Sequence, residues 1–220
     1  MNPEHEILSL HVDDVVLEGE LTTPEGSHAL VIFSHGSGSS RFSPRNNYVA
    51  GCLQRQGIAT FLFDLLTEAE DLHYTNRFNI PLLGERLVNV TRQLLKLPSL
   101  NGYAFGFFGA STGAASALIA ASVLKEKISA VVSRGGRPDL AEAYLPKIQA
   151  PSLFIVGERD EEVMELNRYA CSKLTCPHQL VSIPDATHLF EEPGTLQQVA
   201  DVATAWFLRY LLRSERLVML

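Results

Sequence analysis

The stretch Gly106-Phe-Phe-Gly-Ala-Ser-Thr-Gly-Ala-Ala115, GFFGASTGAA, lies in a segment running from Leu97 to Leu124 without a single charged residue. Three structures would accommodate such a run: a membrane span, a plain buried core, or a serine raised on a turn between two buried elements. A membrane helix needs about 20 mostly apolar residues. Here Gly102, Gly106, Gly109 and Gly113 interrupt the run, and Pro98, Ser99, Asn101, Ser111, Thr112 and Ser116 stand beside them. That composition makes a poor lipid-facing surface. Two shorter buried elements joined at a turn explain it better: a strand over Tyr103 to Phe108 and a helix over Thr112 to Leu124.

Outward from this segment, apolar runs of strand length alternate with segments of helical period. Ala29 to Ser34 is continuously apolar up to His35-Gly36, as expected of a strand covered on both faces. Pro44 to Gln56 predicts a helix, and Ile58 to Phe63 a second strand. Pro81 opens a helix with Leu83, Leu87, Val90 and Leu94 on one face, ending near Pro98. Beyond the central segment come a strand at Ile128 to Ser133, a short helix around Asp139 to Tyr144, and a strand at Ser152 to Val156. A helix from Glu161 to about Ser172, a strand near Gln179 to Ile183 and a last helix from about Leu196 complete the pattern. In that last helix Val199, Val202, Trp206 and Tyr210 are the expected inner face. Glu6 to His11 and Val15 to Thr22 predict a hairpin at the sheet edge, with Asp13-Asp14 near the turn. This alternation predicts an α/β fold: a mostly parallel central sheet with helices on both faces. No internal repeat, low-complexity run or linker divides the chain, so residues 1–220 are expected to form one domain.

Ligands of such sheets bind beyond the carboxyl ends of the strands. The residues standing there are His35-Gly-Ser-Gly-Ser-Ser40, Gly109-Ala-Ser-Thr-Gly113, Gly157-Glu-Arg-Asp160 and Pro184-Asp-Ala-Thr-His188. They supply a serine, an acid and a histidine in the chain order Ser, Asp, His. On these residues the sequence resembles the α/β-hydrolase superfamily, whose nucleophile elbow is G-x-S-x-G. A five-residue motif of this kind occurs by chance in roughly one in ten chains of this length. Its weight comes from position, between a buried strand and an Ala-rich helix. The compact length, the lack of a large cap insertion and the segment PDATHLFEEPG look most like the dienelactone hydrolase branch. That branch carries cysteine in its elbow, whereas this chain has Ser111, so the resemblance points to a carboxylesterase or related acyl hydrolase.

The resemblance implies roles residue by residue. Ser111 is the nucleophile, His188 the base that takes and returns its proton, and Asp160 the acid that orients the imidazole. The backbone N–H groups of Ser37 and Thr112 form the oxyanion hole. Read without the resemblance, Ser111 could be an ordinary helix N-cap, and Asp139 is the alternative acid. Glu158, Glu161 and Glu162 crowd Asp160 in sequence. His28, His35, His73 and His178 lack the matching context. HGSGSS lacks the lysine of a phosphate-binding GxxxxGK[ST] loop. Asp64 reads as structural.

Composition narrows the partners. A formal charge of −7 without a basic stripe argues against nucleic acid. The acidic N-terminal stretch has no secretory-signal pattern. Cys52, Cys171 and Cys176 form neither a CxxC pair nor a zinc pattern and fit free thiols in a reducing cytoplasm. The expected activity is cleavage of a carboxylic ester, or a lactone-type ester, through an acyl-enzyme, with no metal and no organic cofactor. A thioesterase, peptidase or cofactor-free perhydrolase would use the same triad, and a non-catalytic binding protein could retain the fold. Arg41 and Arg134 are candidate contacts to an anionic small-molecule substrate, since arginine forks match carboxylates. Neither a membrane association nor an oligomeric state is indicated.

Overall fold

A computed structural model describes residues 3–212. The start of the acidic N-terminal stretch, residues 1–2, and residues 213–220 lie outside them. Eight strands form one sheet: β1 (Glu4–Val12), β2 (Val15–Thr23), β3 (Ala29–Ser34), β4 (Ala59–Phe63), β5 (Ala104–Ala110), β6 (Ala130–Arg134), β7 (Ser152–Gly157) and β8 (His178–Ile183), in the spatial order β1-β2-β4-β3-β5-β6-β7-β8. The β1–β2 hairpin is antiparallel and joins β4 antiparallel; every pairing from β4 to β8 is parallel. Asp13, at a positive φ of 52°, makes the hairpin turn where Asp13-Asp14 was expected.

Six helices accompany the sheet: α1 (Pro44–Arg55), α2 (Glu68–Asp71), α3 (Ile80–Leu94), α4 (Thr112–Leu124), α5 (Glu161–Cys171) and α6 (Thr195–Leu211). Strand side chains alternate between two cores. Leu30, Ile32, Phe105, Phe107 and Phe154 face one core with α3 and α4. Val31, Phe33, Val132, Leu153 and Ile155 face the other with α1 and α6. Both cores are close to fully buried, and each large apolar side chain removed from water contributes about 1.5–3 kcal/mol. The predicted face of α3 is buried as read: Leu83, Leu87, Val90 and Leu94.

The central segment is now explained. α4 is buried along nearly its whole surface, and β5 is a central strand. An unpaired charge on residues covered from two sides costs several kcal/mol. Among the described residues no helix is long and apolar enough to cross a membrane.

Three departures from the sequence reading have physical reasons. The most buried residues of α6 include Val199, Ala203, Trp206 and Phe207; Val202 and Tyr210, expected beside Val199 and Trp206, pack at the edge of that face and are only partly buried. Ala200 and Ala203 are fully buried and take part of that face, a place that side-chain bulk alone does not predict. The segment at Pro138–Lys147 is 3₁₀ rather than α, with Ala141 off helical geometry and Pro146 inside. The connection from β4 to α3 carries α2, capped by a reciprocal Thr67–Glu70 box, and a 3₁₀ turn at Tyr74–Phe78.

Candidate active site

Ser111 sits between β5 and α4 with φ 52° and ψ −121°, a conformation that costs a non-glycine residue of order 1–3 kcal/mol. Surrounding bonds hold it there. Its N–H donates to the carbonyl of Arg134 at 3.1 Å, and its own carbonyl accepts from Ala114 and Arg137. The side chain makes no helix-capping hydrogen bond, so Ser111 is not an N-cap in the ordinary sense. The flanking glycines have the close contacts such a turn needs. A Cβ at Gly109 would lie 2.5 Å from the Cα of Ala114, and one at Gly113 would fall on the carbonyl oxygens of Ser34 and His35.

The histidine arrives on the loop after β8, and the acid on the loop after β7. Gly157 lets the two loops meet, since a Cβ there would press on the carbonyl oxygens of Ala186 and Thr187. The N–H of Arg159 donates to Ala186, and the N–H of Glu158 donates to Ile183. His188 Nδ1 and Asp160 Oδ2 are then 2.6 Å apart, with the His188 side chain 38% exposed and that of Asp160 15%. Gly135, at φ 52°, lies against the His188 ring, where a Cβ would be 3.4 Å from Cε1. Its neighbour Arg134 accepts the Ser111 N–H, so the Ser111 backbone and the His188 ring both lie against the end of β6. Among the described residues, neither the Ser111 hydroxyl nor His188 Nε2 has a hydrogen-bond partner.

The other candidates fall as follows. The loop after β3 approaches Ser111 closely: a Cβ on Gly36 would be 3.2 Å from the Ser111 Cβ. The Ser37 N–H, however, donates to the Thr112 hydroxyl at 2.8 Å and so is engaged at rest. Arg41 is bound to Asp64 and Glu18, which leaves it no open fork for a substrate. Asp64 is correspondingly structural. The alternative acid Asp139 pairs with Arg137 and stays away from His188. Arg134 is buried, and burial together with nearby Arg45 lowers its pKa to about 10.

Two residues, His35 and Thr112, have structural parts that the sequence did not reveal. His35 accepts the N–H of Leu65 on Nε2 and bonds the carbonyl of Gly36 through Nδ1; burial lowers its pKa. It thereby pins the loop after β3 to the end of β4. Thr112 was read only as a backbone donor, because nothing in the sequence reveals that its hydroxyl meets Ser37. A cleft of about 560 Å³ lies on the other flank of the same loop, lined by residues including Ser39, Arg41, Phe42 and Asp64. It includes neither Ser111 nor His188, so the hydrogen bonds, not the volume, locate the candidate site. Among the described residues no group of three or more His, Cys, Asp or Glu converges as a metal site.

Sheet order, elbow and strand-end loops define an α/β-hydrolase fold. The dienelactone hydrolase family pattern matches residues 21–210, and the chain belongs to that family. A dienelactone hydrolase from Anabaena variabilis has the same structure at a TM-score of 0.94 with 49% identity, over 96% of this chain and 100% of its own. Est1E from Butyrivibrio proteoclasticus shares the fold at a TM-score of 0.80 with 18% identity, over 92% of this chain and 98% of its own. A Mycobacterium tuberculosis protein, named provisionally as a phosphoribosyl transferase, is 52% identical over 197 residues, which are 90% of this chain and 44% of that protein. The chain thus spans less than half the length of the curated relatives it matches.

Proposed function

We propose that this chain is a serine hydrolase that cleaves a carboxylic or lactone-type ester through an acyl-enzyme. The observation carrying the reading is the 2.6 Å Asp160–His188 hydrogen bond, on a loop that packs against the residue next to Ser111's backbone partner. Asp160 fixes the tautomer in which Nδ1 carries the proton and Nε2 is free to act as base. His188 takes the Ser111 proton as Oγ attacks the ester carbonyl, and the oxyanion is met by the N–H of Thr112 at the start of α4. There the helix dipole also favours negative charge. The Ser37 N–H is the second donor once the Thr112 hydroxyl turns away from it. His188 then protonates the departing alcohol. Water, activated by the same imidazole, releases the acid and restores Ser111.

The phosphoribosyl transferase name belongs to mycobacterial chains of which this one covers less than half. Over the shared stretch the family is a hydrolase family, and the proposal follows that stretch. The test is a panel of short-chain, anionic and lactone esters, with wild type against Asp160→Asn and Ser111→Ala. Asp160→Asn should lower kcat on the order of 10⁴-fold by stabilising the wrong tautomer, and Ser111→Ala should abolish acyl-enzyme turnover. Unchanged hydrolysis in a folded Ser111→Ala protein would overturn the reading.

A further inference from the structure

The described residues include two buried arginines, Arg86 and Arg134, at 5% and 7% exposure. Their surroundings differ sharply. Arg86 bonds Glu70, Asp13 and the carbonyl of Val12, so its charge is neutralised although its Nε is also buried without a partner. Among the described residues the Arg134 guanidinium has no carboxylate partner and no hydrogen bond; its Nε and Nη1 are fully buried without a partner. An isolated buried charge costs several kcal/mol, and folds do not ordinarily keep one without a counter-charge.

The position of Arg134 shows where that counter-charge would come from. As the last residue of β6 it stands at the carboxyl edge of the sheet, and strand alternation puts its side chain on the α1–α6 face with Val132. Its guanidinium lies 5.8 Å from the ring centroid of Phe190, two residues beyond His188. Arg45, in the first turn of α1, reaches the same loop through Glu191 at 3.1 Å, and its Nε is likewise buried without a partner. Two guanidinium groups with three unsatisfied donor nitrogens thus flank the loop that carries the candidate base. Glu191 offsets one of the two charges and leaves the other open.

We infer that Arg134 and Arg45 form a binding site for a small oxyanion, a carboxylate or phosphate, beneath the His188–Glu191 loop. The oxyanion is either a free anion or the charged end of the substrate; the second source rests on the hydrolase reading above, the first does not. Planar guanidinium forks match the oxygens of either group. The lowered pKa of Arg134 agrees with a cation that has no partner until the anion arrives.

The experiment uses inorganic phosphate against chloride at equal ionic strength, with thermal unfolding of wild type, Arg134→Met and Arg45→Met as the readout. Phosphate should raise the wild-type Tm saturably, less in Arg45→Met and not at all in Arg134→Met. Without phosphate, Arg134→Met should be at least as stable as wild type, because methionine needs no counter-charge. A structural arginine would give the opposite, a lower Tm. Kinetics with the acetate and hemisuccinate esters of one alcohol separate the sources. If the site takes the substrate's charged end, Arg134→Met should lower the hemisuccinate-to-acetate ratio of kcat/KM by about 10–100-fold, with phosphate competing against the hemisuccinate. A Tm shift without competition assigns the site to a free anion. No phosphate-specific Tm shift in wild type, together with an unchanged ratio in Arg134→Met, would overturn the inference. The Tm arm stands whether or not the chain hydrolyses esters.

Discussion

Thr112 brings two groups to the candidate site, and at rest they work against each other. In the proposed mechanism its N–H, at the start of α4, meets the developing oxyanion, while its hydroxyl occupies the Ser37 N–H. That bond must break before Ser37 can serve, and a neutral hydrogen bond of this kind is worth about 1 kcal/mol. Thr112→Val keeps the side-chain shape and removes the acceptor, so kcat should rise about fivefold with KM little changed. A fall in kcat would show that the hydroxyl supports the loop or the oxyanion instead. This bond could not be read from sequence, because it joins residues 75 positions apart across two loops whose mutual register only the folded backbone sets. The placement of Ser111, Asp160 and His188 at strand ends, and the meeting of the last two, was legible because strand ends concentrate ligand chemistry. The same reasoning offered Arg41, which the fold instead commits to Glu18 on β2 and Asp64 just after β4.

Among the elements, the elbow between β5 and α4 depends on backbone proximity that no side chain can replace. Gly113→Ala would drive a methyl into the carbonyls of Ser34 and His35, which belong to the neighbouring strand and cannot swing aside. It should cost about 3 kcal/mol or more and displace Ser111 as well. Gly51→Ala makes the contrast. Its Cβ would lie within the helix α1 and meet only the flexible end of Arg55 at 3.6 Å, so it should stabilise by about 0.5–1 kcal/mol. Urea unfolding of the two variants checks both signs. Element type followed from periodicity in α3, and from the charge-free Ala-rich run in α4. The phase of α6 did not, since its apolar residues outnumber one face and the small residues on that face carry little hydrophobic signal. The 3₁₀ turns at 74–78 and 98–100 were equally hidden, being too short to show a period.

For the whole molecule, the buried imidazole of His35 ties stability to pH. Burial lowers its pKa from the ordinary 6.5, so the unfolded chain accepts a proton that the folded protein resists. Above about pH 6.5 neither state is protonated there and the contribution is intact. As pH falls below that value the unfolded state gains the proton first, and stability drops by up to about 1.4 kcal/mol per pH unit until the folded state also titrates. Chemical denaturation of wild type and His35→Gln between about pH 6.5 and pH 5 should show a shallower acid slope in the variant. Equal slopes would show that other groups govern the acid limb. The two-sided core that makes this burial possible was legible in the continuous apolar runs of β3, β5 and β7.

Acyl transfer as proposed depends most on Ser111 being a nucleophile activated by His188 and Asp160. The direct measurement is labelling with a fluorophosphonate probe, followed by mass mapping of the modified peptide. Wild type should be modified stoichiometrically at Ser111, Asp160→Asn far more slowly, and Ser111→Ala not at all. Folded wild type that remains unlabelled, or labels at another residue, would contradict it.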